Sequence, residues 1–221
     1  MRPTLTLATL AAAAIFAQPA QAQNSDRHAG DWLVRARAIL VSPTEKSGEV
    51  SGIAGSEVGV GDSVMPEIDF TYMATDNIGA ELILATTKHD IVGRGAIAPL
   101  GEVASTWVLP PTLTLQYHFA PQGRVHPYLG AGVNYTIFYS EKASGSLEGA
   151  LGATDVSLDD SFGYALQAGI DFDIGDRVFV NADVKYIDID TTGTLRSGAT
   201  TRTLEVNIDP IVASVGLGMR F

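Results

Sequence analysis

The stretch "FTYMATDNIGAELILATT", residues 70–87, alternates apolar and polar side chains on both sides of a Thr75-Asp76-Asn77 turn. Before the turn, Val64, Pro66, Ile68, Phe70, Tyr72 and Ala74 share one face against Glu67, Asp69, Thr71 and Thr75. After it, Ile78, Ala80, Leu82 and Leu84 oppose Gly79, Glu81, Ile83 and Ala85. Alternation of period two is the signature of β-strands, and a short Asp-Asn turn between two such runs makes a hairpin. The apolar face is broad and the opposite face carries charge, so the fold turns on what those apolar side chains meet.

The same alternation recurs along the chain. Trp32, Val34, Ala36, Ala38 and Leu40 oppose Arg35 and Arg37; Trp107, Leu109, Leu113, Leu115, Tyr117 and Phe119 oppose Thr112, Thr114, Gln116 and His118. Leu129 to Ile137, Phe162 to Phe172, Val178 to Tyr186 and Val215 to Phe221 repeat it, the last with a slip of parity expected near "IDPIV", residues 208–212, at a bulge or bend around Pro210. Eight strands of about nine residues or more result, the length a tilted strand needs to cross a hydrocarbon core. Tight connections at 75–77, 121–126 and 175–177 alternate with long ones at 42–63, 90–104, 141–159 and 190–203. The expected fold is therefore all-β: an eight-stranded antiparallel transmembrane β-barrel with short periplasmic turns, long extracellular loops and both termini periplasmic. Trp32, Tyr72, Trp107, Tyr117, Phe119, Tyr139, Phe172, Tyr186 and Phe221 lie near strand ends on the apolar face, where aromatic rings suit the membrane interfaces. The apolar face meets lipid.

Composition agrees. The 221 residues contain no cysteine, 18% charged residues and a formal charge of -11, which excludes a basic nucleic-acid surface. "MRPTLTLATLAAAAIFAQPAQA", residues 1–22, has one Arg, an apolar run and an Ala-Gln-Ala ending, so it reads as a signal peptide cleaved after Ala22, leaving a barrel domain over 23–221. Beyond it no apolar run is long enough for a membrane helix.

Several segments resemble the OmpW family of small outer-membrane barrels, which includes alkane-import proteins: "FTYMATDNIGAELILAT" at 70–86, "LPPTLTLQYHF" at 109–119, "PYLGAGVNYTIF" at 127–138, "SLDDSFGYALQAGIDF" at 157–172, "VKYIDIDTT" at 184–192 and the closing "DPIVASVGLGMRF". The resemblance implies passage of small hydrophobic solutes through an apolar lumen, with lateral exit between strands as the family's proposed route. It also implies an apolar constriction at Ile83, where the family has leucine, facing an aromatic at the position of Lys185. Lysine there breaks the pattern and makes the neck polar, with Glu81 or Asp183 as expected partners.

Parity places further apolar residues in the lumen: Leu33, Ile39, Met65, Met73, Val108 and Phe138, with Tyr128 nearer the periplasm. Met65 and Met73 stand out because methionine adapts to varied guests. Arg35, Arg37, Glu67, Asp69, Glu81, Asp171, Asp173, Asp183 and Lys185 are expected to form an ion-paired plug, because buried charges must pair. Expected partners are outer-membrane lipid and lipopolysaccharide, small hydrophobic solutes, and the barrel-insertion machinery through the strand ending in Phe221; no cofactor or metal is expected. His28, His89, His118 and His126 show no ligand spacing. "GIAGSEVGVG", 52–61, reads as a mobile loop and "NYT", 134–136, as part of a strand. Acidic Glu141, Glu148, Asp155, Asp159 and Asp160 read as solvated loop residues. Two other functions compete: a packed barrel acting through its loops in adhesion or envelope integrity, and a lipid-modifying enzyme, for which His89 beside Asp90 lacks an evident nucleophile.

Overall fold

The computed structural model describes residues 26–221, so the expected signal peptide lies outside the described residues. Eight strands form the barrel: β1 Trp32–Ser42, β2 Ser63–Met73, β3 Ile78–Ala85, β4 Thr112–His118, β5 Val125–Ala143, β6 Ser161–Asp173, β7 Val178–Ile187 and β8 Ile211–Arg220. Each pairs antiparallel with the next, β6 with β5, and β8 with β1 from Leu33↔Arg220 to Ser42↔Ile211, which closes the ring. Closure leaves the barrel itself without a free edge, as a strand assembly in lipid requires.

Side-chain direction follows the parity read from the sequence. On β1 the odd residues Leu33 to Val41 are buried while Trp32, Ala36, Ala38 and Leu40 are exposed. Outward side chains such as Val64, Leu113, Leu115, Phe162, Leu166, Val215 and Leu217 are each at least half exposed, an apolar belt that water would not tolerate. Ring pairs mark its two margins: Trp32 with Tyr72 at 5.2 Å and Tyr117 with Phe119 at 5.1 Å at the end of the short turns; Trp107 with Tyr139 at 6.3 Å and Tyr164 with Tyr186 at 5.9 Å at the other.

Two expectations are corrected. The long connections are folded rather than loose: Ser56–Val60, Thr87–Gly95 and Glu102–Leu109 build a sheet that continues onto the upper half of β5. Opposite stands a second sheet of Thr154–Leu158, Asp190–Ser197, Thr200–Asn207 and Lys46–Ser47, with helix α1, Gly145–Leu151, beside it. The supposed mobile segment 52–61 supplies one strand, and the bare Cα of Gly59 makes room for the Arg94 guanidinium, whose Nε would lie 2.3 Å from a Cβ there. Nor does parity slip at 208–212. Leu204, Val206, Pro210 and Val212 all stay buried, while the chain does bend beside Pro210, at Asp209 with φ 41°.

The closing seam depends on Gly216, the partner of Arg37. A Cβ there would stand 2.1 Å from the Ala36 carbonyl oxygen and 2.7 Å from Arg37 Cα, inside any allowed contact. Gly216→Val is expected to cost about 3 kcal/mol or more. Heat-modifiable migration on SDS gels checks this: a folded fraction equal to wild type would refute it.

Candidate functional site

The lumen is divided in two. Its lower part, toward the short turns, is a network of buried charges. Arg35 and Asp69, and Arg37 and Glu67, are directly opposed across β1 and β2, and their ion pairs measure 2.9 and 2.8 Å. Arg37 also reaches Asp69 at 2.8 Å, and Arg35 crosses to Asp171 on β6 at 2.9 Å. Glu81 accepts from Gln167 Nε2 at 2.8 Å and Thr114 Oγ1 at 3.1 Å. Asn181 Nδ2 donates to Asp171 at 2.6 Å and to Tyr128 Oη at 3.0 Å, and Tyr128 donates to Asp183 at 3.1 Å. Arg35, Arg37, Glu67, Asp69, Glu81, Asp171, Asp183 and Lys185 thus each lie within reach of an opposite charge. Asp173 stands apart at the rim, where it accepts from His126 Nε2 at 2.8 Å.

One plug residue escaped the sequence reading. Arg27 precedes β1 and belongs to no alternating run, yet it is only 2% exposed. Its Nη2 lies 2.7 Å from Asp171, its Nη1 donates to His118 Nδ1 at 2.8 Å, and its guanidinium sits 5.3 Å from the Phe179 ring centre. The Arg27 N–H donates to the Pro121 carbonyl and the Gly123 N–H to the Asp26 carboxylate, which fastens this segment across the barrel mouth.

Above the network lies an apolar cavity of about 230 Å³. Ile39, Ile83, Val108 and Phe138 line it, as expected, and it continues up between the two sheets past Val50, Val103, Leu147 and Leu204. Met65 packs at the edge of the same cluster. Leu33 and Met73 do not belong here: with Phe179 they form a separate buried cluster at the turn end, because they occupy the turn-side ends of β1 and β2. Lys185 sits on the boundary, lining the cavity and lying 2.9 Å from Asp183, one of its two expected alternatives, and 2.9 Å from Glu67, which the expectation did not name.

The wall of this cavity has a gap in its ladder. β3 pairs with β4 as far as Ile83↔Thr112, and pairing resumes only at Thr87↔Val108. Between them, Pro110 and Pro111 have no N–H to donate. The Pro110 carbonyl accepts from Thr112 Oγ1 at 2.9 Å and Asn134 Nδ2 at 3.2 Å, while the Pro111 carbonyl accepts from the Tyr135 N–H at 3.1 Å, so neither bonds toward β3. Ala85 and Pro110, on either side of this seam, both line the cavity. Asn134 is fully buried, so the side chain that opens the "NYT" triplet does not reach the surface.

His89 sits in the wall higher up. Its Nδ1 faces the Gly61 carbonyl at 2.8 Å and so carries the proton, leaving Nε2 to accept from Thr87 Oγ1 at 3.0 Å. Burial pushes its imidazole down from its ordinary value, which agrees with a neutral ring. Thr87 is thus the hydroxyl that the sequence did not reveal beside His89, and the contact braces the strand from Thr87 against the Gly61 turn.

The closed eight-stranded cylinder has known counterparts, and residues 28–221 match the OmpW family. The chain belongs to the OmpW family. Outer membrane protein W of Escherichia coli is 38% identical over 218 residues, covering 98% of this chain and 99% of that one. An uncharacterized outer-membrane protein y4mB of Sinorhizobium fredii is 43% identical over 201 residues, 86% of this chain and 80% of its own. The dibenzothiophene metabolism operon protein PahQ of Pseudomonas aeruginosa is 30% identical over 175 residues, 76% and 77% of the two chains. Among solved structures, the outer membrane protein OprG of P. aeruginosa superposes with a TM-score of 0.83 at 30% identity, covering 89% of this chain and 98% of that one. As an OmpW-family member, the chain is an outer-membrane β-barrel.

Proposed function

We propose that this OmpW-family barrel is a passive conduit for small apolar molecules. They enter the upper chamber from the loop end, which faces outward, while the short turns and both termini face the periplasm. They leave sideways into the bilayer through the seam at Pro110 and Pro111. The observation that carries the reading is an apolar cavity that ends on a charged network yet reaches an unpaired stretch of wall. An apolar solute gains nothing by crossing ion pairs that would have to be broken. The seam leads instead to hydrocarbon, at the depth where outward Leu82 and Leu113 already meet lipid. The PahQ relative supports this direction, since its name ties it to the metabolism of an apolar compound. Inward packing of the upper sheets favours this over a barrel acting through its loops, for Val50, Val58, Leu147 and Val206 turn into the chamber.

The test is uptake of a radiolabelled apolar tracer by cells with an intact outer membrane, with and without this protein. Uptake is expected to rise severalfold with it. Equal rates would overturn the reading.

A further inference from the structure

The polar atoms of the chamber wall are mostly spent on the wall itself. His89 uses both ring nitrogens, Thr112 donates to Pro110, Thr106 to the Trp107 carbonyl at 3.2 Å, and Thr191 to the Asp159 carbonyl at 2.7 Å. The floor differs. Lys185 Nζ donates to Glu67 Oε1 and lies 2.9 Å from Asp183 Oδ1, so at least one of its three N–H groups is left. On Glu67, the close contacts of Lys185 and Arg37 both go to Oε1, and Oε2 accepts no hydrogen bond among the described residues. Both side chains line the cavity and are nearly buried, at 2% and 5% exposure.

We propose that this floor is a head-group seat for a hydroxyl, and that the preferred ligand is an apolar molecule bearing one, an aliphatic alcohol or a phenol. The hydroxyl oxygen accepts from Lys185 Nζ, its O–H donates to Glu67 Oε2, and the apolar remainder fills the chamber above. A hydroxyl fits because it both donates and accepts. A carboxylate does not: Lys185 is already matched by two acids, and a third anion beside Glu67 and Asp183 meets like charge. An alkane fills the chamber but leaves the free donor and acceptor unmet. The seat rests on the uptake reading, since it presumes that solutes reach the chamber.

The experiment uses the whole barrel in lipid nanodiscs, with ¹⁵N-labelled lysine side chains and ¹³C-labelled isoleucine methyls. The chain has lysines only at 46, 88, 142 and 185, and the first three are exposed, so a slowly exchanging ammonium signal belongs to Lys185. 1-Octanol is expected to shift both this signal and the Ile83 methyl; octane is expected to shift Ile83 alone. Octanoate should bind about tenfold more weakly than 1-octanol or worse. In Lys185→Met the advantage of 1-octanol over octane is expected to fall about tenfold. If that variant does not fold, the wild-type comparison still decides. 1-Octanol moving Ile83 while leaving Lys185 as octane leaves it would overturn the seat and spare the chamber. No compound moving Ile83 would overturn the uptake reading as well.

Discussion

Arg35→Met is expected to destabilise the barrel by about 3–5 kcal/mol, the cost of removing one member of a buried ion network. Arg35 has no exposed surface and holds Asp69 at 2.9 Å, Asp171 at 2.9 Å and Glu81 at 3.4 Å. Methionine fills much of its volume but returns none of its charge, so three carboxylates lose the cation they share. Arg27 still holds Asp171, and Arg37 still holds Asp69 and lies 3.6 Å from Glu81, so they take up only part of the load. Urea titration of the protein in lipid, followed by tryptophan fluorescence, measures the loss. Arg94→Met provides the control: Arg94 is half exposed and pairs with Glu45 at 2.6 Å, and exposed pairs contribute at most about 1 kcal/mol. Equal effects of the two substitutions would contradict the description of the lower lumen as a desolvated network.

Ile83→Arg is expected to reduce tracer uptake at least about tenfold, toward the rate without protein. Ile83 is 3% exposed, lines the chamber near its floor and is the last β3 residue paired with β4 before the proline seam. A guanidinium there occupies the free space and draws toward Glu67, so both the chamber and the approach to the seam are obstructed. Ile83→Val shortens the side chain without charge, and uptake is expected to stay at the wild-type rate or rise. Unchanged uptake by a folded Ile83→Arg barrel would remove the chamber from the route.

Much of this architecture is legible in the sequence because the β-period is two: one parity count assigns both the lipid face and the lumen face of every strand. That count placed Arg35, Arg37, Glu67, Asp69, Glu81, Asp171 and Asp183 inside before any partner was known. It says nothing of depth. Leu33, second in β1, and Met73, last in β2, have the right parity but sit below the charges. Partners across the lumen were also out of reach, since Lys185 meets Glu67 from 118 positions away and strand tilt and stagger decide that meeting. Arg27 carries no signal at all, being a lone cation in a nonperiodic segment. The upper sheets were missed because their strands are rich in Gly, Ser and Thr, residues that read as loop until a neighbouring strand pairs with them.

The network of charges bears on how such a cylinder comes to be sealed in a bilayer. Arg35 and Arg37 are carried by β1, while Asp171 and Asp183 arrive on β6 and β7, so part of the neutralisation waits until the last strand meets the first. An unclosed sheet would turn bare guanidinium and carboxylate groups toward hydrocarbon, where each is heavily penalised. The bilayer therefore proofreads assembly: it rejects the open curl and admits the finished cylinder, and the arginines of β1 act as the latch that only the final strand can fasten.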